Sequence, residues 1–167
     1  MNSLPSQLNA VKHTLRDNSG RPYSLLLGRT GDCWAFWVRD RGTPVGNAEC
    51  LGKGETLFLS EIHMRDEVQP RWPECLRFLG WFGLKRSLRS YRGRGIGTAL
   101  LRFLNEHARQ SGFKRIEGNL LPRDLDHNPR LPDWYRRQGF DVVMQSDLKS
   151  GKVCLDLGEA GVFVCPK

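Results

Sequence analysis

The chain has 167 residues, 39% of them apolar and 26% charged, enough for one core and too few for two comfortable domains. No stretch reaches the roughly 20 apolar residues of a membrane span, and "MNSLPSQLNAVKHTLRD" lacks the apolar centre of a secretory signal, so a cytoplasmic protein is expected. A formal charge of +8 suggests an anionic partner, and charge alone does not choose among nucleic acid, a membrane surface and a phosphorylated cofactor.

The polar N-terminus suggests a short helix near Gln7–Leu15, ending in the turn-like "DNSGRP". Strands are expected at Tyr23–Leu27, Cys33–Arg39, Pro44–Leu51 and Thr56–Met64, because "GRTGD", "DRGT" and "GKGE" between them are hairpin chemistry. Four short strands joined by tight turns make an antiparallel meander. Arg65–Ser90 has two early prolines and then an apolar knot of Leu76, Phe78, Leu79, Trp81, Phe82 and Leu84. Helix, hairpin and sheet extension all fit this insertion.

From Gly95 to Ser111 the apolar residues Ile96, Leu100, Phe103, Leu104 and Ala108 follow the 3.6 period of a helix, and Gly112 stands where a left-handed C-terminal residue belongs. A strand at Phe113–Leu120, a loop over "LPRDLDHNP", a helix at Arg130–Gln138 and strands at Gly139–Met144 and Lys152–Leu157 complete the order. Strands first, then helices alternating with strands, predict a single α/β domain on a mixed sheet.

The most informative stretch is "YRGRGIGTALL", Tyr91–Leu101, where Gly93, Gly95 and Gly97 open a helix. A helix N-terminus presents unpaired N–H groups and about half a positive charge. Glycines let a phosphate approach those groups, and Arg92 and Arg94 add charge-assisted donors. The P-loop pattern fails for want of a following lysine. The dinucleotide fingerprint fails because Thr98 stands at the third glycine.

The pattern that fits is R-x-x-G-x-G, Arg92 to Gly97, which resembles the acetyl-CoA pyrophosphate loop of the GNAT superfamily of N-acetyltransferases. Asn128, Tyr135 and Gly139-Phe140 in "NPRLPDWYRRQGF" repeat the order of that family's second half. The resemblance implies a mixed, largely antiparallel sheet flanked by helices. It also implies acetyl-CoA as cofactor, with its diphosphate on Arg92, Gly93, Arg94, Gly95, Ile96, Gly97 and Thr98. The pantetheine arm would pair with the strand holding Ile62 and Met64, Asn128 would touch that arm, and Tyr135 would protonate the departing thiolate. Glu61 and His63, two apart on one strand face, are the candidates for general base, directly or through water. In another register "GWFGLKRSL" is the cofactor strand, which removes Glu61 and His63 from the site.

Two departures from the family stand out. Leu27–Cys33 leaves room only for a turn where the family usually places helices, and Arg65–Ser90 is longer than usual. The insertion is expected to replace those helices as a lid or to pack on a second subunit, giving a homodimer. The acceptor is expected to be an amine on a small molecule or peptide. A CoA-binding module without turnover, and an acetyltransferase of aminoacyl-tRNA, are the alternatives.

Other features take plainer readings. Cys33, Cys50, Cys75, Cys154 and Cys165 form no C-x-x-C pair, so reduced thiols and no metal are expected. His107 covers a helix edge, "DLDH" is a loop carboxylate cluster, and Trp34 and Trp37 are strand packing. Among Lys85, Arg86, Arg89, Arg92 and Arg94, those beyond the needs of a cofactor form a solvated face rather than a nucleic-acid site, since no stacking aromatics alternate with them.

Overall fold

The computed structural model describes residues 11–65, 67–68, 89–91, 93–146 and 149–158. Among these described residues, ten strands and three helices follow in the order β1 (Val11–Arg16), β2 (Pro22–Thr30), β3 (Cys33–Asp40), β4 (Thr43–Lys53), β5 (Thr56–Met64), β6 (Glu67–Val68), β7 (Arg89–Ser90), α1 (Ile96–Gln110), β8 (Arg115–Leu120), α2 (Pro122–His127), α3 (Leu131–Arg137), β9 (Asp141–Met144) and β10 (Gly151–Asp156). Eight strands share one sheet in the order β1-β2-β3-β4-β5-β8-β10-β9, and β6 and β7 form a separate antiparallel pair. The pairings β1–β2, β2–β3, β8–β10 and β9–β10 are antiparallel, and β5–β8 is parallel. The mixed, largely antiparallel α/β fold is therefore the one expected.

The described residues cluster into two compact units, one within 1–49 and 61–101, the other within 50–60 and 102–167. Strands β4 and β5 and helix α1 each contribute to both.

In the first unit the strands alternate as half-buried ribbons do. Tyr23, Leu25 and Leu27 of β2 and Phe36 and Val38 of β3 are buried, in register Leu25↔Val38 and Leu27↔Phe36. The β2–β3 turn is only Gly31-Asp32, with Gly31 at φ 59, so Thr30 pairs directly with Cys33. Among the described residues no helix precedes Ile96, consistent with the short Leu27–Cys33 spacing. The helix expected near Gln7–Leu15 is a strand over its described part. Val11–Arg16 pairs with β2 from Val11↔Leu27 to Arg16↔Pro22, and Leu15 is its buried residue. Ladder hydrogen bonds outweigh weak local propensity there.

In the second unit, Leu104 and Ala108 of α1 bury with Leu57, Leu59, Ile116, Leu120 and Val153. Returning from β5 to a parallel β8 requires a crossover, which α1 supplies. Gly112 ends α1 at φ 84, its N–H donating to Arg109 O at 3.0 Å while Phe113 N–H donates to Ala108 O at 3.0 Å. This paired closure satisfies two terminal carbonyls. The stretch expected to be a loop, "LPRDLDHNP", contains α2. Pro122 pre-sets its first turn, and the Asp124 carboxylate accepts from Leu121 N–H at 2.9 Å. Of the Arg65–Ser90 insertion only the ends are described beyond Arg65, and they pair as Glu67↔Ser90 and Val68↔Arg89. The apolar knot and the alternative cofactor strand "GWFGLKRSL" lie outside the described residues.

Candidate active site

Tyr91 anchors the glycine-rich segment. It is buried, and its hydroxyl donates to Asp40 Oδ2 at 2.9 Å. Arg21 also holds Asp40, through contacts of 2.9 and 2.7 Å to its two oxygens. Beyond Arg92, which is not described, Gly93 and Gly95 take φ 72 and 79. These left-handed values on either side of Arg94 are ones L side chains rarely adopt. They turn the chain into α1, where buried Ile96 fixes the helix start. Ala99 N–H donates to Gly95 O at 2.9 Å, so the amides of Ile96 and Gly97 lie ahead of the first bond of the helix.

The two left-handed glycines differ in their surroundings. A Cβ at Gly93 would meet nothing within 4 Å, whereas one at Gly95 would overlap the side chain of Asn18. Asn18 also donates its N–H to Arg94 O at 3.0 Å. Arg94 lies over the Tyr91 ring, its Cζ 5.7 Å from the centroid. Burial raises the Tyr23 phenol above its ordinary range, with the Arg94 guanidinium opposing and Asp17 adding to the rise. A ligand would meet Arg94 through a guanidinium that carries five donors.

Strand β5 carries the next group. Leu57 and Leu59 are buried, Ser60 and Glu61 are both exposed, and after them Ile62 and Met64 are half-buried while Glu61 and His63 are exposed. Glu61 and His63 therefore share the open side. Gly46 of β4 makes room beside this end of β5, because a Cβ there would overlap Met64 Sδ and lie 2.9 Å from His63 O. The parallel ladder with β8 runs from Thr56↔Arg115 to Leu59↔Gly118, and β5 continues beyond it from Ser60 to Met64.

Asn128 and Tyr135 belong to the second unit. Asn128 closes α2 with its N–H on Asp124 O at 2.9 Å, and its carbonyl accepts from Leu131 N–H at 2.9 Å at the start of α3. Tyr135 is buried between Trp134 and Phe140, at centroid distances of 4.8 and 5.3 Å, both edge-on. Helix α3 ends with Gly139 at φ 89, Gly139 N–H on Arg136 O at 3.0 Å and Phe140 N–H on Tyr135 O at 3.1 Å. The Gly-Phe pair thus closes the helix and clamps the Tyr135 ring. Burial first, then the charges of Asp124 and Cys50, push the Tyr135 phenol well above its ordinary range. At neutral pH it is a donor.

Sequence reasoning missed Asp17, Asn18, Asp40 and Tyr23. "DNSG" signals a turn, but its contact with a segment far along the chain leaves no mark in a single sequence. Among the described residues no group of three or more His, Cys, Asp or Glu is placed to hold a metal. His127 Nδ1 lies 2.7 Å from Arg123 O, and His107 stacks on Phe103 at 6.1 Å.

Residues 86–142 match the family described as Acetyltransferase (GNAT) domain. The uncharacterized protein YocC of Bacillus subtilis (strain 168) is 29% identical over 59 residues, and the match spans 35% of this chain and 36% of that protein's length. The ribosomal-protein-S18-alanine N-acetyltransferase from Escherichia coli is similar in structure, with a TM-score of 0.54 at 15% identity over 82% of this chain and 77% of that one. The PaiA N-acetyltransferase of Thermoplasma acidophilum, solved in complex with coenzyme A, gives a TM-score of 0.51 at 14% identity over 75% and 61%. At these identities the structural likeness is one of fold. The glycine loop and α1 thus lie inside the segment that matches the GNAT acetyltransferase domain, and the sheet around them has the fold of these acetyltransferases.

Proposed function

We propose that the protein is an acetyl-CoA-dependent N-acetyltransferase acting on a primary amine by direct attack on the thioester. The observation that carries this reading is the pair of left-handed glycines, Gly93 and Gly95, opening onto the N-terminus of α1 within the matched segment. The backbone there fits a diphosphate: the amides of Ile96 and Gly97 precede the first helical bond, and no Cβ projects from Gly93 or Gly95. Arg92 and Thr98 complete the group of residues that would hold it, together with Arg94.

When bound, acetyl-CoA supplies an acyl group activated as a thioester. The main chain of Ile62 and Met64 would hold the pantetheine arm in the manner of a neighbouring strand, and a main-chain N–H of this stretch would donate to the oxygen on which charge builds. That β5 is the parallel neighbour of β8 and outruns the shared ladder supports β5 in this role. Asn128 would touch the arm as well. An alkyl ammonium has a pKa near about 10 and must lose a proton before it can attack. Glu61 or His63, both exposed on β5, would take that proton directly or through water. Tyr135, a neutral phenol at neutral pH, would donate toward the departing sulfur. Its raised pKa makes complete proton transfer to a thiolate uphill, so its part is a shared proton.

Thiol release from acetyl-CoA, measured against a panel of small amines and peptide N-termini beside calorimetric CoA binding, tests the reading. Binding with amine-dependent thiol release is expected. Binding without release from any amine would make the protein a CoA-binding module, and no binding would overturn the assignment.

A further inference from the structure

We infer that the β1–β2 turn, Asp17 to Gly20, is a built-in strut that holds the glycine loop in its ligand-ready shape, with Asn18 as the positioning residue. This rests on the CoA assignment above.

A loop with two left-handed glycines is the segment least able to fix its own conformation, since glycine has the most backbone freedom to lose. A loop ordered only on binding meets that loss in the binding step, and one held beforehand does not. Two independent contacts hold this one. Asn18 N–H donates at 3.0 Å to the carbonyl of Arg94, the residue between the two left-handed glycines. The Asn18 side chain lies so close to the Gly95 Cα that a methyl group there would overlap it.

A strut must itself be stiff, and this turn is. The Asp17 carboxylate accepts from Ser19 N–H at 2.9 Å, Ser19 Oγ at 2.6 Å, Arg21 N–H at 2.9 Å and Tyr23 OH at 3.1 Å. Main-chain bonds from Gly20 N–H to Asp17 O and from Asp17 N–H to Arg21 O close it, at 2.9 and 3.1 Å. The Tyr23 hydroxyl that bonds Asp17 at 3.1 Å is buried with its ring edge-on to Tyr91, at a centroid distance of 6.4 Å. Asn18 itself is exposed, so removing its side chain leaves the core intact.

Two donors separate loop positioning from general damage: acetyl-CoA, and S-acetylpantetheine, which lacks the diphosphate. In Asn18→Gly, which keeps the main-chain donor, and in Asp17→Ala, which loses the carboxylate, the ratio of kcat/KM for acetyl-CoA to that for S-acetylpantetheine is expected to fall about tenfold. The loss should appear in KM rather than kcat. Gly95→Ala should be less harmful in the Asn18→Gly background than alone, because the overlap is gone. Asn18→Gly provides the measurement should Asp17→Ala fail to fold. An unchanged ratio in folded Asn18→Gly, together with additive losses in the double variant, would overturn the strut and leave the CoA assignment standing. A wild-type protein that binds no CoA would overturn both.

Discussion

Gly95 is restrained twice, by its φ of 79 and by the Asn18 side chain against its Cα, whereas Gly93 is restrained only by its φ of 72. An L-residue in that region costs about 1–2 kcal/mol. Gly93→Ala should therefore lose roughly that much stability in urea melts, and Gly95→Ala should lose more and bind CoA more weakly. Equal losses would mean that Asn18 yields freely. The sequence explains these glycines by the room an anion needs, which fits the open space at Gly93. At Gly95 part of the reason is a neighbour from the first hairpin, and no local pattern announces a contact between residues 18 and 95. Tyr135 gives a second prediction at this scale. Its folded pKa is raised, so its contribution to stability is complete below the unfolded value near about 10 and is lost as pH rises above it, by up to about 1.36 kcal/mol per unit. Tyr135→Phe should lack that alkaline loss, so its stability should gain on the wild type above about pH 10. The same variant should slow kcat by about 10²-fold at neutral pH if the phenol serves as donor. Wild-type kcat at every pH would remove Tyr135 from the chemistry and leave it as the packed residue between Trp134 and Phe140.

Elements were legible wherever two signals agreed. Strands β2 to β5 combine alternating burial with glycine-marked turns, and β5 matches Thr56–Met64 residue for residue. Helices α1 and α3 combine an apolar period with a glycine close, at Gly112 and Gly139. β1 was misread because it buries little besides Leu15, so its strand identity comes from pairing with β2 and not from its own pattern. α2 was missed for a related reason: it buries no residue and shows no apolar period. Its signal is Pro122 in the first turn with Asp124 two residues on, whose carboxylate accepts from Leu121 N–H. Asp124→Ala should remove that bond and destabilise α2 by about 0.5–2 kcal/mol. Faster hydrogen exchange at Leu125 and Asn128, whose amides bond back to Leu121 and Asp124, is the measurement. Asp124 is also among the groups raising the Tyr135 phenol, so the variant should bring that pKa down. Unchanged exchange would show that Pro122 alone suffices to hold the turn.

At the scale of the molecule, the formal charge of +8 raises the question of how much of it is available to a partner. Several cations already have acidic neighbours: Arg21 with Asp40, Lys114 with Glu55, Arg115 with Glu117 and Asp156, and Arg136 with Asp133. Apart from the pair at buried Asp40 these are exposed, and such pairs add at most about 1 kcal/mol each. Among the described residues they nevertheless place negative charge next to basic side chains, where a polyanion would need positive charge alone. A compact ligand held by main-chain amides depends less on that charge. CoA binding should therefore weaken only moderately with salt, about tenfold between 50 and 500 mM, as expected for charges within one Debye length. RNA of mixed sequence should bind weakly, with a shallow slope of log K against log salt, because few phosphates would be neutralised. Tight RNA binding at 150 mM salt with a steep slope would reverse this ranking. It would favour aminoacyl-tRNA as the acceptor, since a steep slope means that many phosphates are neutralised.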